Sequence, residues 1–98
     1  MTRRILLRRE AQREFEEAAI WYDQLRKGLA LTFQESVNFA VSLAAGHPDR
    51  YPHAHNEIRC IHVQKFPYRI FFTSHTDHIV VLAVFHVRRD PTIWRSRV

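Results

Sequence analysis

Cysteine is almost absent: Cys60 is the only one in the 98 residues. A lone thiol excludes an internal disulfide and any zinc site built from several thiolates, and it fits a reducing cytosol. Lysine is scarce too. Of the 15 basic residues only Lys27 and Lys65 are lysine, so the positive charge is carried by arginine, which suits planar, bidentate contacts to carboxylate or phosphate. Long apolar runs are missing. None approaches the roughly 18 residues that span a bilayer. The opening MTRRILLRRE has only three consecutive apolar residues, which predicts neither a signal peptide nor an anchor and argues against secretion and membrane contact. No repeat or low-complexity linker breaks the chain. Histidines do recur in predicted loops, as His53 with His55 and His75 with His78. No cysteine or acid cluster accompanies them, so no metal or other cofactor is expected.

At this length one core is possible and two are not, which predicts a single domain over residues 1–98. The hydrophobic fraction, 46%, is enough for a globular core. The net charge is +5 with a pI near 10.1. That balance calls for an anionic partner, nucleic acid or acidic protein, and charge alone does not choose.

The periodicities predict the elements in order. Ile5, Leu6 and Leu7, between arginine pairs, read as an edge strand whose flanking charges discourage edge pairing. Ala11, Phe15, Ala18, Tyr22 and Leu25 recur at helical spacing. Glu10, Glu14, Glu16 and Glu17 lie in the N-terminal half of that helix, where acids complement its dipole. No Ser, Thr, Asp or Asn sits at the expected N-cap near Arg8. Gly28 is the expected break. A second helix follows from about Leu29 to Ala45, with Phe33, Val37, Ala40, Val41 and Ala44 on its stripe, and Gly46, His47 and Pro48 end it. The polar stretch from Asp49 to Glu57 reads as loop. Strands are predicted at about Ile58 to Val63, Tyr68 to Thr73 and Ile79 to Val87. The result is an α+β fold, β-α-α-β-β-β, with a helical hairpin on one face of a mostly antiparallel four-stranded sheet.

The turns suggest a register. With loops at Gln64–Pro67 and Ser74–Asp77, Val63 faces Tyr68 and Thr73 faces His78. Ile61, Val63, Tyr68, Ile70, Phe72, Ile79, Val81, Ala83 and Phe85 then share the face that meets the helices. His62, Lys65, Arg69, Phe71, Val80, Leu82, Val84, His86 and Arg88 share an open face, half apolar and half cationic. The expected core is Phe15, Tyr22, Phe33, Val37, Ile70, Val81 and Phe85. Trp21 and Tyr22, beside the helix stripe, are expected to pack in the core, and Trp94 to hold the tail against the sheet.

The stretch from Phe66 to Arg97 carries the functional signal. It reads FPYRIFF, a polar turn, IVVLAVFHVRRDP and IWRSR, and it sets His86, Arg88 and Arg89 at the end of a buried strand. Cleavage of RNA through the 2′-hydroxyl needs an acid, a base and a cation for the developing charge. His86 or Glu57 are candidates for moving protons, and Arg69 or Arg88 for holding charge. The plainer alternatives are a solvated Arg69 paired to Asp90 or another acid, and a His86 that serves as a structural hydrogen-bonder.

An ordered set of residues along nearly the whole chain resembles the RelE/ParE superfamily of toxins from type II toxin–antitoxin pairs. It runs through Ala11, Glu14 and Phe15, Trp21–Tyr22, Gly28–Leu29, Phe33, Pro48, Tyr51–Pro52 and Ile58–Arg59. It continues through Phe66-Pro67-Tyr68-Arg69-Ile70 and Val81–Val84 to His86, Arg88–Arg89, Pro91 and Trp94. The resemblance implies the same β-α-α-β-β-β fold, a cytoplasmic, plasmid-stabilising toxin and a cognate acidic antitoxin as partner. RelE-like members cut mRNA on the ribosome, whereas ParE-like members poison DNA gyrase and lack a nuclease site. FPYRIFF and FHVRRDP are closer to the ParE branch. By resemblance to the nucleases, Arg69 falls at the strand arginine that meets the scissile phosphate, and His86 at or beside a general acid. The tyrosine that often follows that histidine is Val87 here, and the catalytic lysine pair is missing, with only Lys65 nearby. The surface expected to meet target and antitoxin is Lys65, Arg69, His86, Arg88, Arg89, Trp94 and Arg95. The target reading is DNA gyrase; the alternatives are the ribosome with its mRNA, and a toxin-derived protein that acts only within a complex.

Overall fold

A computed structural model describes residues 2–98. Strand β1 (Arg4–Leu7) leads into helix α1 (Arg9–Leu25) and helix α2 (Leu29–Gly46), and a 3-10 turn covers Pro48–Arg50. Then come β2 (His53–His55), β3 (Ile58–His62), β4 (Tyr68–Ser74), β5 (His78–His86) and a short helix α3 (Thr92–Arg95). The sheet order is β1-β5-β4-β3-β2. Only β1 is parallel to its neighbour, with Arg4 opposite His78 and Leu7 opposite Val81. This is the expected α+β architecture, with five strands where four were expected. The added strand is the three-residue β2, inside the stretch read as loop. It exists because Asn56, at φ 50°, turns the chain back onto β3. Asparagine tolerates that left-handed conformation better than most residues.

The local signals work as physics requires. Arg8 caps α1 with no side-chain bond; its backbone N–H is instead held by the Val81 carbonyl at 3.0 Å. Gly28 takes φ +90°, a left-handed turn that favours glycine, and its N–H donates to the Asp23 carboxylate at 3.1 Å. The helices then lie on the sheet over a core that includes Phe33, Val37, Ile70, Phe72 and Val81, all 4% exposed or less. Its aromatic end joins Tyr22 to Phe66 at 4.8 Å and Phe33 to Tyr68 at 5.1 Å between ring centroids, in edge-on arrangements favoured by ring quadrupoles. Two residues expected on the buried side of α1 are not there. Trp21 is 54% and Leu25 60% exposed, because the stripe that reaches the sheet is the narrower one through Ala11, Ala18, Ala19 and Tyr22.

The larger correction concerns register. Between β4 and β5, Phe72 faces Val81 but Phe71 faces Ala83, so Leu82 is an extra residue in β5. Such a bulge reverses the alternation of everything beyond it. Ile79 and Val81 stay on the helix side as expected. Past Leu82 the faces exchange: Val84 joins the core under the helices, and Ala83 and Phe85 turn to the other face. There Ile58, Phe71, Leu82, Ala83 and Phe85 form a second cluster, covered by Trp94. The Trp94 ring stacks on Phe71 at 3.8 Å with 13° between planes. The open face is therefore apolar at its centre and roofed by the C-terminal segment.

Candidate functional site

The bulge decides where the candidate site residues stand. Tyr68 faces His86 across the ladder, and Arg69 faces Phe85. Opposite partners share a face and successive residues alternate, so Arg69 and His86 emerge on opposite sides of the sheet. The expectation that both sit on the open face is overturned for His86, and the cause is the Leu82 bulge.

On the helix side, His86 stands edge-on to Tyr68, ring centroids 5.2 Å apart. The Nδ1 atom of His86 accepts the Arg88 backbone N–H at 3.1 Å. Burial pushes the Tyr68 phenol above its ordinary range; Tyr22 and Glu14 add to the shift and Arg89 opposes it. Tyr68 and His86 line a cleft of about 420 Å³ with Trp21, Glu14, Arg89 and Arg97.

Glu14 organises that cleft. Strand β1 covers β5 only as far as Val81, so the edge of β5 beyond it lacks a strand partner. The Glu14 carboxylate fills the gap: it accepts the Val84 N–H at 3.1 Å, Arg89 Nη1 at 2.9 Å, and Arg97 Nη1 and Nη2 at 2.9 and 3.0 Å. Arg97 also donates to the Leu82 carbonyl at 3.1 Å. Glu14 and Arg97 are both largely buried, with side chains 12% and 11% exposed. An exposed β5 edge is thereby satisfied by one carboxylate and one guanidinium, and the chain end is tied to α1. Arg89 wraps round the same edge, its guanidinium 4.3 Å from the Phe85 ring centroid. Sequence reasoning read Glu14 as a helix-dipole acid and left Arg97 unassigned. The acid-rich face of α1 was visible; its meeting with the C-terminus was not.

On the opposite face Arg69 is exposed, with no ion pair among the described residues. Asp90 is not its partner; that carboxylate accepts the Thr92 N–H at 3.0 Å and starts α3. Trp94 is only 4% exposed, its indole stacked on Phe71, and α3 exposes Thr92, Ile93 and Arg95, the last 5.4 Å from the indole. Lys65 sits in the β3–β4 turn at φ 72°, exposed, and Arg88 is exposed in the turn after β5. Glu57 lies in the tight turn before β3, exposed. His75 and His78 are stacked 4.6 Å apart at the β4–β5 turn. The His78 hydrogen bond, before any other cause, holds the neighbouring Asp77 carboxyl below its ordinary range. Among the described residues no group of three or more His, Cys, Asp or Glu side chains is placed to hold a metal ion, and no helix is long and apolar enough to cross a membrane.

The fold is a helical hairpin on a five-stranded, mostly antiparallel sheet, with Arg88 and Arg89 just beyond its longest strand. The family described as "ParE toxin of type II toxin-antitoxin system, parDE" matches residues 5–91. The chain belongs to that ParE toxin family. Its fold is similar to that of a chain solved in the chromosomal ParDE toxin–antitoxin system from P. aeruginosa. That similarity has a TM-score of 0.76 at 15% identity, over 87% of this chain and 96% of that one. No curated protein matches the chain in sequence.

Proposed function

We propose that this ParE-family toxin acts in the cytoplasm by binding DNA gyrase directly, within a plasmid-stabilising module, and that a cognate acidic antitoxin silences it. The observation that supports a binder over a nuclease is the separation of Arg69 from His86 by the sheet itself. A general acid and a phosphate-holding cation must converge within hydrogen-bond reach of one phosphodiester. These two side chains leave the sheet in opposite directions, and His86 is already engaged with Arg88. The exposed cations Lys65, Arg69, Arg88 and Arg95, with the half-exposed Arg89, instead offer a distributed surface. Binding energy on such a surface is shared among a few anchors. The net charge of +5 and arginine's bidentate geometry favour an antitoxin rich in carboxylates. The endoribonuclease reading keeps one supporting feature, the unpaired and exposed Arg69.

The test uses the purified protein with gyrase and plasmid DNA, alongside translating ribosomes. The expected result is loss of supercoiling with accumulation of cleaved DNA, while ribosome-bound mRNA stays intact. Cleavage of that mRNA, abolished in His86→Ala, would replace this reading with the ribonuclease one. Co-expression with the adjacent reading frame should yield a complex that survives purification.

A further inference from the structure

The charge of this chain is sorted by layer. Five acids lie on α1 and Glu35 on α2, whereas β3, β4 and β5 carry none. Glu57 and Asp77 sit in the turns before β3 and before β5, at one end of the sheet. The other end gathers cations. Lys65 lies in the β3–β4 turn, Arg69 near the start of β4 and Arg88 just past β5. His62, the last residue of β3, stands directly opposite Arg69, and both are exposed. Opposite partners share a face, so both belong to the open face, and α3, which roofs it, adds the exposed Arg95. Among the described residues Lys65, Arg69, Arg88 and Arg95 have no ion pair. The nearest acid along the chain, Asp90, already accepts the Thr92 N–H. Trp94 seals the apolar centre of this face, so charge rather than apolar burial chooses the partner it can hold.

We propose that this end of the open face binds the phosphate backbone of duplex DNA, so that the toxin grips the DNA held by gyrase as well as the enzyme. The choice of DNA as the polyanion rests on the function proposed above; the sorting of charge does not. Cations without acid partners break no ion pair to meet phosphates, and each contact releases a condensed counterion from the DNA. The planar guanidinium of Arg69 or Arg95 matches two phosphate oxygens at once. The acid-bearing helices lie on the far side of the sheet, so the field of the whole molecule turns the cationic face toward a polyanion and the helices away from it. The patch is made of strand ends, turns and one short helix, with no long element to lie in a groove. The contact is therefore to the backbone and independent of base sequence. That suits a toxin whose target enzyme acts on DNA of many sequences.

Fluorescence anisotropy of a short labelled DNA duplex, titrated with the purified toxin in the absence of gyrase, tests the proposal. The expected dissociation constant is about 10⁻⁴–10⁻⁶ M, with a log–log salt slope of about −3 to −4 for contacts by Lys65, Arg69, Arg88 and Arg95. Arg69→Gln with Arg95→Gln should shrink that slope by about 2 and weaken binding about tenfold or more. Arg13→Gln with Lys27→Gln removes the same charge from the exposed surface of the helical layer, and should change affinity by less than about twofold. Arg69→Lys keeps the charge and should keep the slope. Circular dichroism checks that each variant is folded. Equal losses from the two pairs would make the attraction a property of net charge alone and overturn the face. No binding, or binding indifferent to salt, overturns the DNA contact and leaves gyrase inhibition standing. Binding as expected with gyrase unaffected would keep the face and remove the gyrase reading. Tighter binding to single-stranded RNA of the same length would assign the face to RNA and overturn the proposal.

Discussion

Replacing Glu14 with alanine should be among the most damaging single changes in the chain, although its side chain is charged. Two losses combine. The Val84 N–H, held by Glu14 at 3.1 Å, becomes an unsatisfied donor, which costs about 1–3 kcal/mol. Arg97, 11% exposed and gripped at both nitrogens, loses its counter-charge; breaking such a buried pair from one side typically costs about 3–5 kcal/mol. Arg89 is 45% exposed, so water screens its share and it adds little. The losses overlap, because Arg97 keeps the Leu82 carbonyl and water can reach the vacated space. We expect a total of about 3–5 kcal/mol against the roughly 5–15 kcal/mol that holds a small domain. The melting temperature should fall by roughly 15 °C or more. Glu14→Gln keeps an oxygen for Val84 but not the charge, and should fall about midway. The assay is urea unfolding of both variants, of Arg97→Ala and of the double variant. Glu14 and Arg97 should couple by about 1–3 kcal/mol. A Glu14→Ala loss below about 1 kcal/mol, or strictly additive single changes, would refute the view that this carboxylate closes the β5 edge.

Three further outcomes follow from the same geometry. Phe85→Ala should cost about 3–5 kcal/mol in urea unfolding and should alter Trp94 fluorescence, since both belong to the cluster on the open face; unchanged fluorescence would mean the C-terminal roof does not rest there. Arg69→Ala and His86→Ala should each reduce toxicity in cells by a modest step, whereas loss of an acid–base catalyst would cost about 10²–10⁴ in rate. Burial pushes the Cys60 thiol up, with Arg69 opposing more weakly. The thiol should therefore react with iodoacetamide at neutral pH at least about tenfold more slowly than free cysteine, speed up as the pH is raised, and reach the free rate in denaturant; free-cysteine rates in the folded protein would contradict that burial.

The elements were legible because their signals are local. Helical spacing from Ala11 to Tyr22, the glycine at position 28 and the proline at position 48 each act within a turn or two of their own position. The edge strand was legible from three apolar residues between arginine pairs; its parallel pairing with β5 was not. What escaped has a different cause. Strand β2 is three residues of histidine and alanine with no β pattern, held by a turn and a neighbour. Trp21 was assigned to the core by type and proximity, yet α1 touches the sheet along alanines and leaves the indole outside. Glu14 and Arg97 are surface-type residues whose partnership depends on where the chain end returns, which no local pattern encodes.

The Leu82 bulge was invisible for a more specific reason. From Ile79 to Phe85 every residue is apolar, so no polar side chain marks the point where alternation breaks. Both faces of β5 are covered, one by the helices and one by Trp94, and either phase buries apolar groups. Burial alone therefore does not fix the register. The edge contacts do. Arg97 takes the carbonyl of Leu82, the extra residue itself, and Glu14 takes the N–H of Val84 just beyond it. The ion pair thus brackets the bulge and holds the phase that follows. Shift that phase by one residue and His86 would emerge beside Arg69, restoring the juxtaposition a ribonuclease requires. In this chain the side on which His86 appears, and with it the case for a binder over a nuclease, depends on a buried carboxylate from α1 meeting an arginine from the chain's end.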